Sequence, residues 1–314
     1  MDVMILAGGL SHERDVSVRS GRRVKEALES HGVKASLHDV DPELIPSLRS
    51  LPSGAVVWPL LHGASGEDGS LQALLELLGV PFVGTGSHAA RVAWVKSVAK
   101  AVIERAGIAT PDYVTIPQSL FREAGADQVL DAITERFSLP LVVKPARGGS
   151  ALGVSLVKSR GELPQAMVHC FAYGDMALIE RAVTGTEVAV SVIGAGDDAS
   201  VLPAVEIACD GPYDYDARYN PGRVEYFTPA RLGAAEAAAV EAAALAVHRT
   251  LELRDLSRID MILDDSGVAH VIDINVAPGM TETSLFPQAA EAAGLELGAL
   301  YRDVCEAALA RHVP

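Results

Sequence analysis

No run of apolar residues in this chain approaches the roughly 20 needed to cross a bilayer, although apolar types fill 49% of its 314 positions. The start, M-D-V-M-I-L-A-G-G, has neither a basic leader nor a small-residue cleavage site. Cysteine is scarce. Cys170, Cys209 and Cys305 are widely spaced with no pairing or metal-ligand pattern, which fits three buried thiols in a reducing compartment. Basic blocks are missing as well: the formal charge is −15, so neither a nucleic acid nor a membrane surface is expected as a partner. A phosphate ligand stays open, because local Lys, Arg and backbone N–H groups bind it regardless of net charge. Two nucleotide signatures are absent, the dinucleotide fingerprint G-x-G-x-x-G and the P-loop ending G-K-[ST]. Repeats are absent too. These absences describe a soluble, cytoplasmic protein whose length implies two or three domains.

What is present begins with two strand, Gly-rich turn, helix units. An apolar strand over residues 2–7 runs into G-G-L-S, and a helix with Val24, Ala27 and Leu28 inward is closed by Gly32. A second strand over 55–61 runs into H-G-A-S-G-E-D-G and a helix carrying Leu71, Leu74, Leu75 and Leu78. Ligands of open α/β sheets bind at the carboxyl ends of strands, so Glu13, His62 and Glu67 are candidates for a small-molecule site. Glu13 fits a helix first-turn acid equally well, and His62 beside Gly63 fits a plain turn. One helix is expected from about 89 to 106 with Val92, Val95, Ala99 and Val102 inward. Lys96 and Lys100 would lie on its flank, Lys100 in solvent.

Residues 139–157, L-P-L-V-V-K-P-A-R-G-G-S-A-L-G-V-S-L-V, read as strand, Gly-rich bend and strand. A lysine at the end of an apolar strand is costly to bury without an anion. Lys144 with Gly148, Gly149, Gly153 and Ser150 therefore has the make-up of a phosphate cradle. A strand over 176–181 ends in Glu180, and Glu187 opens another. Residues 212–232 show neither helical nor strand period, and a structureless loop of about twenty residues is usually functional; Tyr215, Arg218 and Tyr219 are its working candidates. After an Ala-rich helix from 234 to about 251, residues 258–285 read as an acidic hairpin. A two-residue Ser266-Gly267 turn sets Asp260 opposite Asp273, with Arg258 and Asn275 on the same faces. Facing carboxylates destabilise a sheet, so either a hard divalent cation lies between them or the hairpin is a solvated acidic surface.

Taken in order, these motifs resemble the D-alanine-D-alanine ligases of the ATP-grasp superfamily over nearly the full chain. The likeness is carried by G-G-L-S-H-E-R-D-V-S from Gly8, L-H-G-A-S-G-E-D-G from Leu61, V-K-P-A-R-G-G-S from Val143 and E-R-A-V-T-G-T-E from Glu180. Y-D-Y-D-A-R-Y from Tyr213, R-I-D from Arg258 and D-I-N-V-A-P-G-M-T-E-T-S-L from Asp273 complete it. The resemblance implies an α/β fold, α+β in the C-terminal half, in three domains: 1–88 Rossmann-like, 89–178 central, 179–314 catalytic, with ATP held between the last two. It implies an acyl phosphate made on a first D-amino acid and attacked by the amine of a second. Lys96, Lys144 and Arg218 would hold phosphates, Glu180, Arg181 and Val183 the adenine, and Glu187 the ribose. Asp260, Asp273 and Asn275 would bind two Mg²⁺, or Mn²⁺. Arg258 and the Gly279 N–H would serve the oxyanion. Glu13 and His62 would take the first amino acid and Ser284 and Leu285 the second, with Tyr219 linked to Ser150 and Glu13. A Tyr at 219 resembles the dipeptide-forming members, and a homodimer is implied.

Departures from the family pattern are Asp273 for a bridging Glu, shorter by about 1.5 Å, and Arg218 for a Lys. Ala151 stands for a second Ser, Trp94-Val95 for Met-Asp and Val276 for Thr. They leave as alternatives a ligase or cyclase acting on another amino acid, and a nucleotide-binding relative without catalysis.

Overall fold

A computed structural model describes residues 1–209 and 224–312. Tyr215, Arg218 and Tyr219 lie outside them. The first sheet holds β1 (Asp2–Leu6), β2 (Lys34–His38) and β3 (Ala55–Pro59), parallel in the order β2-β1-β3. Strands covered on both faces need continuous apolar runs, and Val3 to Leu6 are all buried. The helix Arg14–Ser30 lies close against this sheet at Gly21, where a Cβ would come within 2.7 Å of Leu37 and 2.8 Å of Ala7.

The second sheet is antiparallel, β4 (Tyr113–Pro117), β5 (Leu141–Pro145), β6 (Ser155–Val157) and β7 (Met176–Arg181) in the order β4-β7-β5-β6. All of β7 pairs within it, so a division at 178 and 179 falls inside a strand. The third sheet contains β8 (Gly185–Ala195), β9 (Ser200–Val201), β10 (Val205–Cys209), β11 (Val224–Phe227), β12 (Arg254–Asp264) and β13 (Ala269–Asn275). Its order is β11-β10-β8-β12-β13, with β9 on β8. The helix Ala234–Thr250 covers it through Val240, Ala244 and Val247. The last helices, Leu285–Ala292 and Leu297–Ala310, return to the first sheet: Phe286, Tyr301 and Val304 share a core with Val3, Ile5 and Trp58.

Several expectations are corrected here. Residues 87–105 form two helices, Ser87–Trp94 and Lys96–Arg105, broken where Val95 takes φ −92° and ψ 95°. The break rotates the second helix so that Lys100 and Ile103 are buried together with the expected Ala99, while Val92 and Val102 pack half-buried against the same core. Part of the expected loop is strand, since Val224–Phe227 pairs with β10. Cys209 is only half-buried, unlike Cys170 and Cys305. The hairpin turn holds three residues, because Asp264 N bonds to Val268 O and Gly267 sits at φ 82°. A bulge after Asp260 absorbs the extra residue. Asp260 therefore still faces Asp273, with Arg258 facing Asn275.

Candidate active site

Between the second and third sheets lies a cleft of about 1030 Å³ lined by Lys96, Lys144, Glu180, Arg181, Val183, Glu187, Asp260 and Asp273. It adjoins a polar cavity of about 90 Å³ lined by Glu13, His62, Glu67, Ser150, Arg258, Asn275, Gly279, Ser284 and Leu285. Gly149 lines both. Apart from Gly153, which packs against Pro145 and Tyr173, every site residue expected from sequence within the described residues falls on one of these two surfaces.

The break at Val95 makes Lys96 the first residue of its helix, where its N–H donates to Ala146 O at 2.9 Å. Its ammonium lies 2.5 Å from Asp273 Oδ1. Arg258 and Asp260, two apart on β12, share a face, and the guanidinium grips Asp260 in a fork of 2.7 and 2.8 Å. Each carboxylate of the facing pair thus has a cation from the chain itself, which offsets the repulsion that the pairing would otherwise carry. Asn275 Oδ1 accepts from Ala277 N at 2.8 Å. Two carboxylates and an amide carbonyl are hard oxygen donors of the kind Mg²⁺ takes. Among the described residues no group of three His, Cys, Asp or Glu side chains could hold a metal unaided. The donor set fits an ion that also takes ligands from phosphates and water.

Lys144 ends its strand buried, as its apolar neighbours require, and meets an anion there. Its Nζ lies 2.5 Å from Glu180 Oε1 and donates to Ile272 O at 3.0 Å. Burial pushes the Glu180 carboxyl up, but Lys144 and Lys100 outweigh it and hold the group below the usual range. Lys100 is not in solvent as expected. It is 4% exposed, 2.9 Å from Glu180 Oε2, and donates to Thr110 Oγ1 at 2.5 Å. Burial, opposed by Glu180, brings its pKa down to about 8.

The bend after Lys144 turns through Gly148 at φ 125° and through Ser150 and Ala151 at φ 52° and 56°, a region that non-glycine residues seldom enter. This carries Ser150 across to Glu13, to which its hydroxyl donates. His62 is buried, and among the described residues its Nε2 has no hydrogen-bond partner. Burial pulls its pKa below the ordinary value, opposed by Glu13. Glu67 is buried beside it and accepts from Gly63 N at 2.8 Å. Burial and then Glu13 push its carboxyl up to about 8, so it carries its proton at neutral pH. Ser284 precedes the helix Leu285–Ala292 with its hydroxyl turned to Thr281, so the helix's first N–H groups, which favour an anion, are not capped by it. Gly279 approaches so closely that a Cβ there would come 2.7 Å from Ser284 Oγ.

The family model described as D-ala D-ala ligase C-terminus matches residues 102–306, and that described as the N-terminus matches 36–85. The chain belongs to the D-alanine-D-alanine ligase family. Among its relatives, the D-alanine-D-alanine ligase of Anaeromyxobacter dehalogenans is 39% identical over 97% of this chain and 94% of its own length. That of Pelotomaculum thermopropionicum is 34% identical over 98% and 97%. The crystal structure of D-alanine-D-alanine ligase from Bacillus anthracis superposes with a TM-score of 0.83 at 27% identity, covering 99% of this chain and 98% of that one. The Bacillus anthracis enzyme in complex with ATP gives 0.83 at 26%. A D-Ala:D-Ser ligase from Enterococcus faecalis, at 24% identity and 0.83, shares the fold. The ATP-grasp architecture of the family is kept.

Sequence reasoning missed the burial of Lys100, because no Gly or Pro marks the helix break at Val95 that turns it inward. Thr110, which accepts from Lys100 and donates to Val271 O at 2.7 Å, was missed with it.

Proposed function

We propose that this ligase joins two D-amino acids, D-alanine to D-alanine, with ATP as the energy source, for peptidoglycan precursor synthesis. The observation that carries this is the meeting of the two cavities at Gly149: a long cleft with two lysines ends beside a small chamber with its own carboxylate and imidazole. A triphosphate in the first would bring its terminal phosphorus to an amino acid in the second. Adenine would rest against Glu180, Arg181 and Val183 and ribose against Glu187, with Lys96, Lys144 and Arg218 toward the phosphates. Three bodies would make up this arrangement, the central one running past residue 178 to the end of β7 at Arg181.

In the first step a carboxylate oxygen of the first D-amino acid attacks the γ-phosphorus, and ADP leaves. Glu13 takes the substrate's ammonium and the imidazole of His62, with its unpartnered Nε2, meets its carboxylate. In the second step the free amine of the second D-amino acid attacks the acyl carbon and inorganic phosphate departs. Ser284 and Leu285 orient that substrate by its carboxylate, and Arg258 with the Gly279 N–H stabilises the oxyanion. Mg²⁺ held by Asp260, Asp273 and Asn275 supplies neutralisation of the phosphate charge. By its resemblance to the family, Tyr219 would act together with Glu13 and Ser150. A cytoplasmic homodimer belongs to the same proposal.

The test is ATP-dependent phosphate release over a panel of D- and L-amino acids, with the product read by mass. Release that needs D-alanine and yields its dipeptide is the expected result. Release with another amino acid would move the substrate assignment, and ATP binding without turnover would remove the catalytic one.

A further inference from the structure

Three charged groups lie together on the floor of the nucleotide cleft, and the reaction described above uses only two of them. Glu180, at the end of β7, has one carboxylate oxygen 2.5 Å from Lys144 Nζ and the other 2.9 Å from Lys100 Nζ. The side chains of Lys100, Glu180 and Lys144 are 5%, 3% and 8% exposed. Lys144 lines the cleft. Lys100 does not; it is anchored behind it by Thr110 Oγ1, which in turn donates to Val271 O on β13. The arrangement is one buried anion shared by two cations, of which one faces the ligand and the other cannot reach it.

A buried charge left without a partner is strongly unfavourable. With Lys144 as its only counter-ion, Glu180 would hold that ammonium to itself, and turning Lys144 toward a phosphate would strand a carboxylate in a dry place. With Lys100 on the second oxygen, Glu180 stays compensated whichever way Lys144 turns. We propose that Lys100 is a positioning residue for the nucleotide's phosphates: by holding Glu180 from behind, it releases Lys144 to the cleft. This rests on the reading of the cleft as the ATP site. It gives a purpose to a lysine that never touches the ligand.

The experiment compares the affinities of full-length wild-type, Lys100→Met, Lys100→Arg and Lys100→Met/Glu180→Gln proteins for ATP and for adenosine, by calorimetry with Mg²⁺ present and amino acids absent. Adenosine fills the base and ribose subsites but leaves Lys144 nothing to bind, so the ratio of the two affinities isolates the phosphate contribution. Lys100→Met should weaken ATP by about tenfold or more, the scale of loss when a buried ion pair is broken, and clearly more than it weakens adenosine, which shares only the contact with Glu180. Lys100→Arg should keep the wild-type ratio. The double variant removes the carboxylate's charge together with its rear counter-ion and should restore the ratio. It also carries the test alone if Lys100→Met does not fold. Equal weakening of both ligands in Lys100→Met, or a double variant that fails to recover, would overturn the proposal and leave Lys100 a structural residue. Wild-type protein that binds ATP no better than adenosine would overturn the phosphate reading of the cleft, and this inference with it.

Discussion

At the scale of single residues, the chemistry turns on two carboxylates that face each other and on the cations that answer them. Asp273 is 31% exposed at its side chain and contacts Lys96, so Asp273→Asn should leave the melting temperature within a few degrees while abolishing turnover. Near-wild-type dipeptide formation would remove Asp273 from the metal set. Arg258 differs because it is buried and forked on Asp260. If it serves the oxyanion, Arg258→Ala should lower kcat by about 10²-fold or more, the usual loss for such a donor. A change confined to KM, measured with saturating ATP, would reassign it to substrate binding. Arg258→Lys should recover little, since a point charge cannot reproduce the fork. The placement of these residues was legible early because acids, amides and arginines at a period of two on a hairpin share faces whatever the turn. Lys100 was not legible, because its side depends on a helix phase that a single extended residue resets.

At the scale of elements, the hairpin shows how a correct pairing can rest on an incomplete account. Ser266-Gly267 reads as a two-residue turn, but Asp264 closes a three-residue one, accepting from Ser266 N, Val268 N and Ser266 Oγ. Only a bulge near the active end brings Asp260 back opposite Asp273. Bulges carry no residue signature of their own, so this one was invisible in the sequence. The packing of the last helix was equally hidden. Its apolar stripe announces a buried face but not which sheet receives it, and it crosses the helix Arg14–Ser30 at Gly298. There an added Cβ would lie 2.4 Å from Ala27 O and 2.2 Å from His31 Nδ1. Backbone cannot yield as a flexible side chain can, so Gly298→Ala should lower the unfolding free energy by about 1–3 kcal/mol, the cost typical of overpacking. Urea denaturation measures it. An unchanged midpoint would show that the two helices can separate at no cost.

At the scale of the whole molecule, the buried titratable groups set how stability follows pH, and they oppose one another. His248, bonded to Ser257 Oγ at 2.8 Å, is pushed by burial down to about 4 from an ordinary 6.5. Between those values the unfolded chain binds the proton and the folded one does not, so this group makes stability rise with pH. His62, also lowered, acts in the same direction below 6.5. Glu67 has the other sign. Its pKa is raised from 4.5 to about 8, so the folded protein keeps a proton that the unfolded chain has lost, and stability falls as pH rises between those values. Lys100, lowered to about 8 from 10.5, opposes Glu67 as pH nears 8, because the folded chain begins to shed a proton that the unfolded chain keeps. Between 6.5 and 8 Glu67 therefore works against the tail of the two histidines and the onset of Lys100. Its own contribution to the unfolding free energy should fall there by up to about 1.4 kcal/mol per pH unit, the value for one proton. Glu67→Gln keeps an acceptor for Gly63 N and has no proton to lose, so its stability relative to wild type should rise across the same interval and be most favourable at pH 8. Urea midpoints at half-unit steps decide it: parallel curves for the two proteins would mean that Glu67 ionises in the fold as freely as in water.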